Sequence, residues 1–241
     1  MRRYFVFYLL PVFFAFLGYS VMVGWWWSLK RHEALLEKQA FKLDEAQEPA
    51  IQAIERLGGE VVRDHFRHDL GWPVISARLG SSSNPVSDSD LMHLKSFRHI
   101  QSLSIHGARL EGDGLSYLKD LPALTRIQID SHVTDKAVSR LEDLRQLRYL
   151  SICSRSMTDH GLASVAKLYN LRHLTIRKAG ITDEGLAHLD FLGTLEVLEF
   201  VDTRVTEAGV REFRLRHPEV KLIFNPEIIA PDPPPLRLPK L

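Results

Sequence analysis

The chain has 241 residues and a formal net charge of +1, from 31 Lys and Arg against 30 Asp and Glu. This balance gives no support to nucleic-acid binding, because such affinity depends on neutralising phosphates with an excess of Lys and Arg. The chain has one cysteine, which excludes an internal disulfide and a thiolate cluster for zinc.

Near the N-terminus, residues 4–27 contain no charged side chain. As an α-helix this segment would reach about 36 Å, enough to cross a hydrocarbon core of about 30 Å. Trp25, Trp26 and Trp27 end the segment, where amphipathic rings prefer the headgroup level. We therefore predict a transmembrane anchor in residues 1–29. A cleaved signal peptide is the alternative, although the apolar run is long for one and no clear small-x-small cleavage site follows.

The orientation of this anchor is weakly determined by charge. Arg2 and Arg3 precede the apolar segment and Lys30 and Arg31 follow it, so the positive-inside rule nearly cancels. The N-terminal amine shifts the balance slightly toward a cytoplasmic N-terminus. The sequence thus predicts a single-pass membrane location, with the remainder of the chain exported.

Residues 30–57 are rich in Ala, Leu, Glu, Lys and Gln, with Pro49 in their midst. This composition predicts a helical stalk and then a short second helix, residues 50–57, that ends at Gly58 and Gly59. The apolar residues form only a loose stripe, at Leu35, Leu36, Leu43 and Ile51. A simple spacer therefore fits better than a dimerising coiled coil.

A unit of 23 or 24 residues then recurs, and its apolar anchors are Ile100, Leu124, Leu147, Leu171 and Leu195. Each unit opens with L-x-x-L-x-L or a close variant, whose period of two is typical of a short strand. Apolar residues at helical spacing follow. A fixed period in the twenties indicates a solenoid, in which each unit buries its apolar face against its neighbours.

The predicted helices share a capping motif. Thr182 is an expected N-cap, and Asp183 then lies in the first turn, where the helix dipole favours negative charge. The motif recurs as Thr134-Asp135, Thr158-Asp159 and Thr206-Glu207. Before these units, residues 58–99 are predicted to form a capping region and a degenerate first repeat, and residues 220–224 a closing strand.

These units resemble those of bacterial leucine-rich-repeat proteins of the V/I-T-D-x-G-L-x-x-L type, over roughly residues 74–224. The resemblance implies an α/β leucine-rich-repeat solenoid over residues 100–224, with parallel strands on its concave face and short helices on its convex face. It also implies a protein or peptide partner and a bacterial cell membrane for the anchor. The chain departs from the family pattern in one respect. The usual Asn or Cys of the turn is absent, which predicts a weaker inner polar ladder. The residues at that place are Ala108, Arg155, Ala179 and Thr203.

Residues 225–241 close the chain and contain six of its twelve prolines. Proline cannot donate the backbone hydrogen bonds of a helix or sheet, so this segment is predicted to be an extended or disordered tail. A recognition tail and a plain solvated end both fit this composition, and the solvated end is the simpler interpretation.

The predicted strands align their variable side chains in rows about 4.8 Å apart. Arginine and tyrosine are favoured at protein interfaces because they combine contact area with directed hydrogen bonds. We therefore predict a partner-binding surface in the central repeats, formed by Arg126, Arg148, Tyr149, Arg172, His173 and Arg177. The alternative is a solvated face without a partner, on a structural spacer of the membrane or envelope.

Two other sets of residues are of types that bind metals or react as nucleophiles. The Asp-His-Phe-Arg-His-Asp segment, residues 64–69, offers metal-ligand types, but Arg67 would oppose a cation and a polar turn explains it better. Cys153 is followed by Arg155, which could lower the pKa of the thiol, but no base is positioned beside it. Neither a G-x-S-x-G nor an H-E-x-x-H motif is present. We predict no enzymatic activity, metal, cofactor or small-molecule substrate.

Overall fold

The computed structural model describes residues 19–66, 72–81 and 84–225. The chain divides into two units, one from Met1–Glu48 and Asp64–Pro73 and the other from Pro49–Arg63 and Val74–Leu241. The helices and strands, in chain order, are α1 (Tyr19–Arg56), β1 (Glu60–Arg63), β2 (Val74–Leu79), a 3₁₀-helix (Asp88–Ser96), β3 (Ser102–Leu110), a 3₁₀-helix (Gly114–Asp120), β4 (Arg126–Val133), α2 (Asp135–Ser139), β5 (Tyr149–Cys153), α3 (Asp159–Val165), β6 (His173–Arg177), α4 (Asp183–His188), a 3₁₀-helix (Leu189–Phe191), β7 (Val197–Val201), α5 (Glu207–Arg216) and β8 (Lys221–Asn225).

Helix α1 continues through Pro49 without interruption, so the predicted break into a stalk and a second helix is wrong. Proline removes one backbone donor from the helix. The turns that follow are nevertheless held, because Ala50, Ile51 and Ile54 are buried in the apolar core of the second unit. The boundary between the two units falls at this proline.

Within the described residues, no helix combines the length and apolar character that a membrane span needs. Residues 4–18 of the predicted anchor lie outside the described residues, as do residues 226–241 of the predicted tail. Trp26 and Trp27, which end the predicted anchor, are 61% and 66% exposed. The anchor and the tail therefore stay predictions.

The second unit contains one eight-stranded sheet in which the strands follow chain order. Strand β1 pairs with β2 antiparallel, and every later pair is parallel. All five repeat anchors are buried, together with the inward residues of the strands and of the helical segments between them. The predicted solenoid of parallel strands and short helices is confirmed.

An aspartate in the first turn of one helix binds the N-cap threonine of the next repeat. The carboxylate of Asp159 accepts hydrogen bonds from the Thr182 backbone N at 2.9 Å and from Thr182 Oγ1 at 2.6 Å. The same pair of bonds joins Asp135 to Thr158 and Asp183 to Thr206. We call these contacts the Asp–Thr brackets. The sequence predicts that these aspartates interact with the helix dipole, and the structure shows that they also bond to the next repeat.

Each bracket also requires glycine at the third helical position of the next repeat. A Cβ atom on Gly185 would overlap the carboxylate of Asp159, and the same overlap would occur at Gly161 and Gly209 with their own bracket aspartates. The Thr-Asp-x-Gly motif therefore spans two repeats. Its aspartate serves the following repeat, and its glycine accommodates the aspartate of the preceding one.

A second set of bonds links neighbouring repeats through the residue that precedes each of the last three anchors. The side-chain nitrogens of Gln146 and Asn170 donate to backbone carbonyls of the preceding repeat at 2.9 and 2.7 Å. Thr194 Oγ1 donates to the Tyr169 carbonyl at 2.7 Å. Neighbouring repeats are thus hydrogen-bonded beside the anchors as well as at the brackets.

The turn after β5 differs from the sequence prediction. Ser154 is buried, whereas Arg155, predicted for the inner place of this turn, is exposed. Ser154 Oγ accepts from the Val133 backbone N and donates to the Val133 carbonyl, both at 2.9 Å. Thr203, at the corresponding turn after β7, is buried and its Oγ1 lacks a hydrogen-bond partner among the described residues. The inner polar ladder is therefore present only in part.

The bracket model predicts energetic coupling between Asp159 and Gly185. Asp159→Ala should lower the free energy of unfolding by about 2 kcal/mol, because charge-assisted hydrogen bonds to Thr182 are lost. Gly185→Ala should cost about 1–3 kcal/mol through overlap with the carboxylate. In the double variant the overlap is relieved. The loss of unfolding free energy in the double variant should therefore be about 1 kcal/mol smaller than the sum of the two single losses.

Urea denaturation of the full chain measures these changes. Asp143→Ala serves as the matched control, since the Asp143 side chain is exposed and accepts no hydrogen bond from the described residues. Strict additivity of the two costs in the double variant would contradict the bracket model.

Candidate functional site

The solvent-facing residues of the central strands form one continuous surface, which we call the open sheet face. Strand register aligns these residues in three rows that cross the strands. The first row is Arg126, Tyr149, His173 and Val197; the second is Gln128, Ser151, Thr175 and Glu199; the third is Asp130, Cys153, Arg177 and Val201.

The first row brings three of the predicted partner-binding residues into contact. Arg126 Cζ lies 4.5 Å from the centroid of the Tyr149 ring, within the range of a cation–π interaction. The Tyr149 and His173 ring centroids lie 6.0 Å apart. Because their strands are hydrogen-bonded in register, these three side chains form an ordered row on the sheet.

Arg172 precedes β6 and is paired with a carboxylate that the sequence prediction leaves out of the site. Arg172 Nη1 lies 2.8 Å from Glu196 Oε1, and His173 Nε2 lies 3.8 Å from Glu196 Oε2. The Arg172 and Glu196 side chains are 50% and 52% exposed, so this ion pair contributes little to stability. It does reduce the positive charge that Arg172 offers to a partner. The sequence could have indicated this pair, because Glu196 lies 24 residues after Arg172, at the equivalent position of the next repeat.

The other two predicted residues take no part in this ion pair. Arg148 precedes β5 and is exposed, and its guanidinium forms no ion pair or hydrogen bond with any residue that the structure describes. Arg177 ends β6, four residues beyond His173, which corresponds to about 13 Å along a strand. Arg177 therefore belongs to the third row, beside Cys153, and not to the cluster around Tyr149.

Cys153 is a protonated thiol at neutral pH. Its pKa is raised, first by burial and then by a hydrogen bond and the negative charge of Asp130; Lys178 and Arg177 act in the opposite direction. The expectation that Arg155 lowers this pKa is therefore wrong. The cysteine is a poor nucleophile in this setting, because the thiolate is the reactive form.

A Ser–His–Glu contact lies at the turns between three repeats. Ser156 Oγ lies 2.9 Å from His132 Nδ1, and His132 Nε2 lies 3.4 Å from Glu111 Oε1. The His132 and Glu111 side chains are 46% and 55% exposed. Nucleophilic catalysis needs donors arranged for an oxyanion in a site that excludes water, and these half-exposed side chains do not form such a site. The contact links the repeats.

The Asp-His-Phe-Arg-His-Asp segment at residues 64–69 contains residue types that bind metals. Residues 67–69 lie outside the described residues. Among the residues that are described, no group of three His, Cys, Asp or Glu side chains could hold a metal ion.

The repeats and the sheet together define the class of fold. Units of 23 or 24 residues each add one strand to a common parallel sheet and one short helical segment to the same core. Inward leucine-type residues hold the units together, and most neighbours share Asp–Thr brackets. This is the architecture of a leucine-rich-repeat solenoid.

Comparison with known proteins adds three distant likenesses in structure. An internalin of Listeria monocytogenes is 19% identical, with a TM-score of 0.45, over 55% of this chain and 36% of that one. A leucine-rich-repeat protein of Leptospira interrogans is 14% identical, with a TM-score of 0.39, over 55% and 39%. The plant peptide hormone receptor RGFR1, in complex with RGF2, is 11% identical, with a TM-score of 0.35, over 56% and 26%.

This chain thus matches less than two fifths of the length of each of these structures. No family model matches the chain, and a search of curated proteins finds no match. The assignment of the fold rests on the repeats and the sheet of the chain itself.

The raised pKa of Cys153 predicts slow alkylation. At pH 8 iodoacetamide should react with the folded chain more slowly than with the chain unfolded in urea, because the folded chain holds less thiolate. Asp130→Asn removes two effects that raise the pKa, and it should speed alkylation by about three-fold or more. Asp143→Asn is the control. An unchanged rate in Asp130→Asn would contradict the assigned role of Asp130.

Proposed function

We propose that this chain is a membrane-anchored protein that binds a protein or peptide partner through its open sheet face. The main support is the ordered row of Arg126, Tyr149 and His173, with Arg148 beside it, whose guanidinium pairs with none of the described residues. Arginine and tyrosine are enriched among the residues that dominate binding energy at interfaces. Here they occur together on the solvent-facing side of a sheet.

The rigidity of the sheet favours this role. Strands β4, β5 and β6 are each hydrogen-bonded on both sides, so their side chains keep fixed spacings before any partner arrives. Binding to such a surface avoids the entropic cost of ordering a loop. The side chains of the first row also support each other by ring contacts, which limits their rotamer freedom.

The membrane anchor in this proposal is supported by the uncharged segment at residues 4–27. The weak charge balance around it favours an exported solenoid in a bacterial cell membrane. The expected result is that the full chain stays in the pellet after carbonate extraction of membranes. A protease added outside intact cells should digest the repeats. Release into the carbonate supernatant would refute the anchor, and protection from the protease would reverse the orientation.

The partner-binding role predicts a specific loss on charge reversal. Arg148→Glu with Arg172→Glu should reduce capture of the partner by at least about ten-fold, as expected when interface arginines are lost. The melting temperature should stay nearly unchanged, because both side chains are exposed and exposed ion pairs contribute little. Crosslinking followed by pull-down from native membranes, with the full chain as bait, measures capture.

Arg211→Glu is the matched control for this experiment. Arg211 lies on helix α5, away from the strands, is exposed and forms no ion pair with the described residues. Its reversal makes the same change in charge per residue without touching the open sheet face. Equal capture by the control and by the Arg148 and Arg172 variant would refute the proposed face. That outcome would favour a structural spacer instead.

A further inference from the structure

We propose that the partner segment is an extended acidic peptide that lies across β5 and β6, above Ser151 and Thr175. This inference rests on the proposed function and adds the chemistry of the partner. It is carried by two independent features of the open sheet face, its relief and its distribution of charge.

The relief comes from the small residues of the second row. Ser151 and Thr175 are only 5% and 7% exposed, although they lie on the solvent-facing side of the sheet. Tyr149 and His173 stand on one side of them, and Cys153 and Arg177 on the other. The central strands therefore carry a shallow trough with small residues on its floor, where the Thr175 hydroxyl donates to Glu199 Oε2 at 3.1 Å at the β7 end.

The trough runs from strand to strand and not along a strand, because its floor consists of residues in register on neighbouring strands. Its two walls are separated by four residues of a strand, about 13 Å. An extended peptide directs successive side chains to opposite sides. A peptide in this trough can therefore present alternate side chains to the first-row wall and to the third-row wall.

The open sheet face around the trough carries more cationic than anionic side chains. Over β4 to β6 and the residues just before β5 and β6, the face carries one carboxylate, Asp130, against four arginines, which are Arg126, Arg148, Arg172 and Arg177. Arg172 is paired with Glu196, whereas the other three form no ion pair with the described residues. The face therefore offers unpaired guanidinium groups near both walls, and carboxylates are their natural partners.

Arg126 is prepared for such a contact. Its guanidinium lies over the Tyr149 ring, which restrains the side chain and leaves the N–H edges of the guanidinium available. The next strand, β7, presents Glu199 and two valines, Val197 and Val201. The acidic part of the peptide should therefore end at β6, and apolar residues should follow over β7.

The test is a selection of random 12-residue peptides displayed on phage, with the full chain as the target. We expect the selected peptides to contain Asp and Glu at least about twice as often as the starting library. Against the Arg148→Glu, Arg177→Glu variant, the selection should lose this bias and enrich Lys and Arg. Arg211→Glu, on the helix side, should select the same acidic peptides as the unchanged chain.

The best peptide, labelled with fluorescein, then serves as the probe in fluorescence polarisation. Arg148→Glu and Arg177→Glu should each raise its Kd by about ten-fold, whereas Arg172→Gln combined with Glu196→Gln should raise it by less than about three-fold, because this double change removes a paired cation and its carboxylate together and leaves the net charge of the face unchanged. Replacing the peptide's acidic residues by Gln or Asn should abolish the difference between the variants. Raising the salt concentration should weaken binding to the unchanged chain.

Different results would overturn the acidic partner and the binding face. Selected peptides that are neutral or basic, but that lose binding in the Arg148 and Arg177 variants, would overturn the acidic partner and leave the proposed face intact. Peptides whose binding survives every variant of the face would overturn both. Displacement of the labelled peptide by oligothymidylate at matched charge concentration would also overturn the inference, since a surface for phosphates in general would then be indicated.

Discussion

The Asp–Thr bracket is the contact on which the stacking of most repeats depends. One carboxylate binds both the backbone N–H and the hydroxyl of the next N-cap threonine, and a glycine without a Cβ lies against it. A shift of one residue between neighbouring repeats would break both bonds. It would also turn the buried row of strand residues toward solvent, since successive side chains point to opposite faces. The bracket and the apolar core therefore specify the same register.

This arrangement separates stability from recognition. The brackets and the polar residues before the anchors hold neighbouring repeats together, and the leucine-type residues fill the core between sheet and helices. The solvent-facing side chains of the strands have no comparable structural role, apart from small buried residues such as Ser151 and Thr175. Side chains of Arg126, Tyr149 and His173 can therefore serve a partner without a large cost to folding.

The constant period explains why the sequence predicts the rows of the sheet correctly. A spacing of 23 or 24 residues aligns Arg126 with Tyr149 and Tyr149 with His173 before any coordinate is known. The structure differs from the sequence prediction where the local conformation depends on contacts with residues distant in sequence. Core burial of Ile51 and Ile54 holds helix α1 together beyond Pro49, the hydroxyl of Ser154 replaces Arg155 in its turn, and the bracket aspartates reach into the next repeat. Periodicity identifies equivalent positions but not the atoms they contact.

Arg148 and Arg172 show how neighbouring repeats give equivalent residues different properties. Both precede a strand, 24 residues apart, and both are exposed. The position one repeat after Arg148 is Arg172, which cannot pair with the Arg148 guanidinium, and no other described residue does; the position one repeat after Arg172 is Glu196, which binds it at 2.8 Å. A solenoid therefore tunes each exposed charge through the equivalent residue of the next repeat. On this face the arginines that pair with none of the described residues lie over β4 to β6, where Asp130 is the one carboxylate of the rows, and the carboxylates of Glu196 and Glu199 lie toward β7, so the charge changes along the row of repeats.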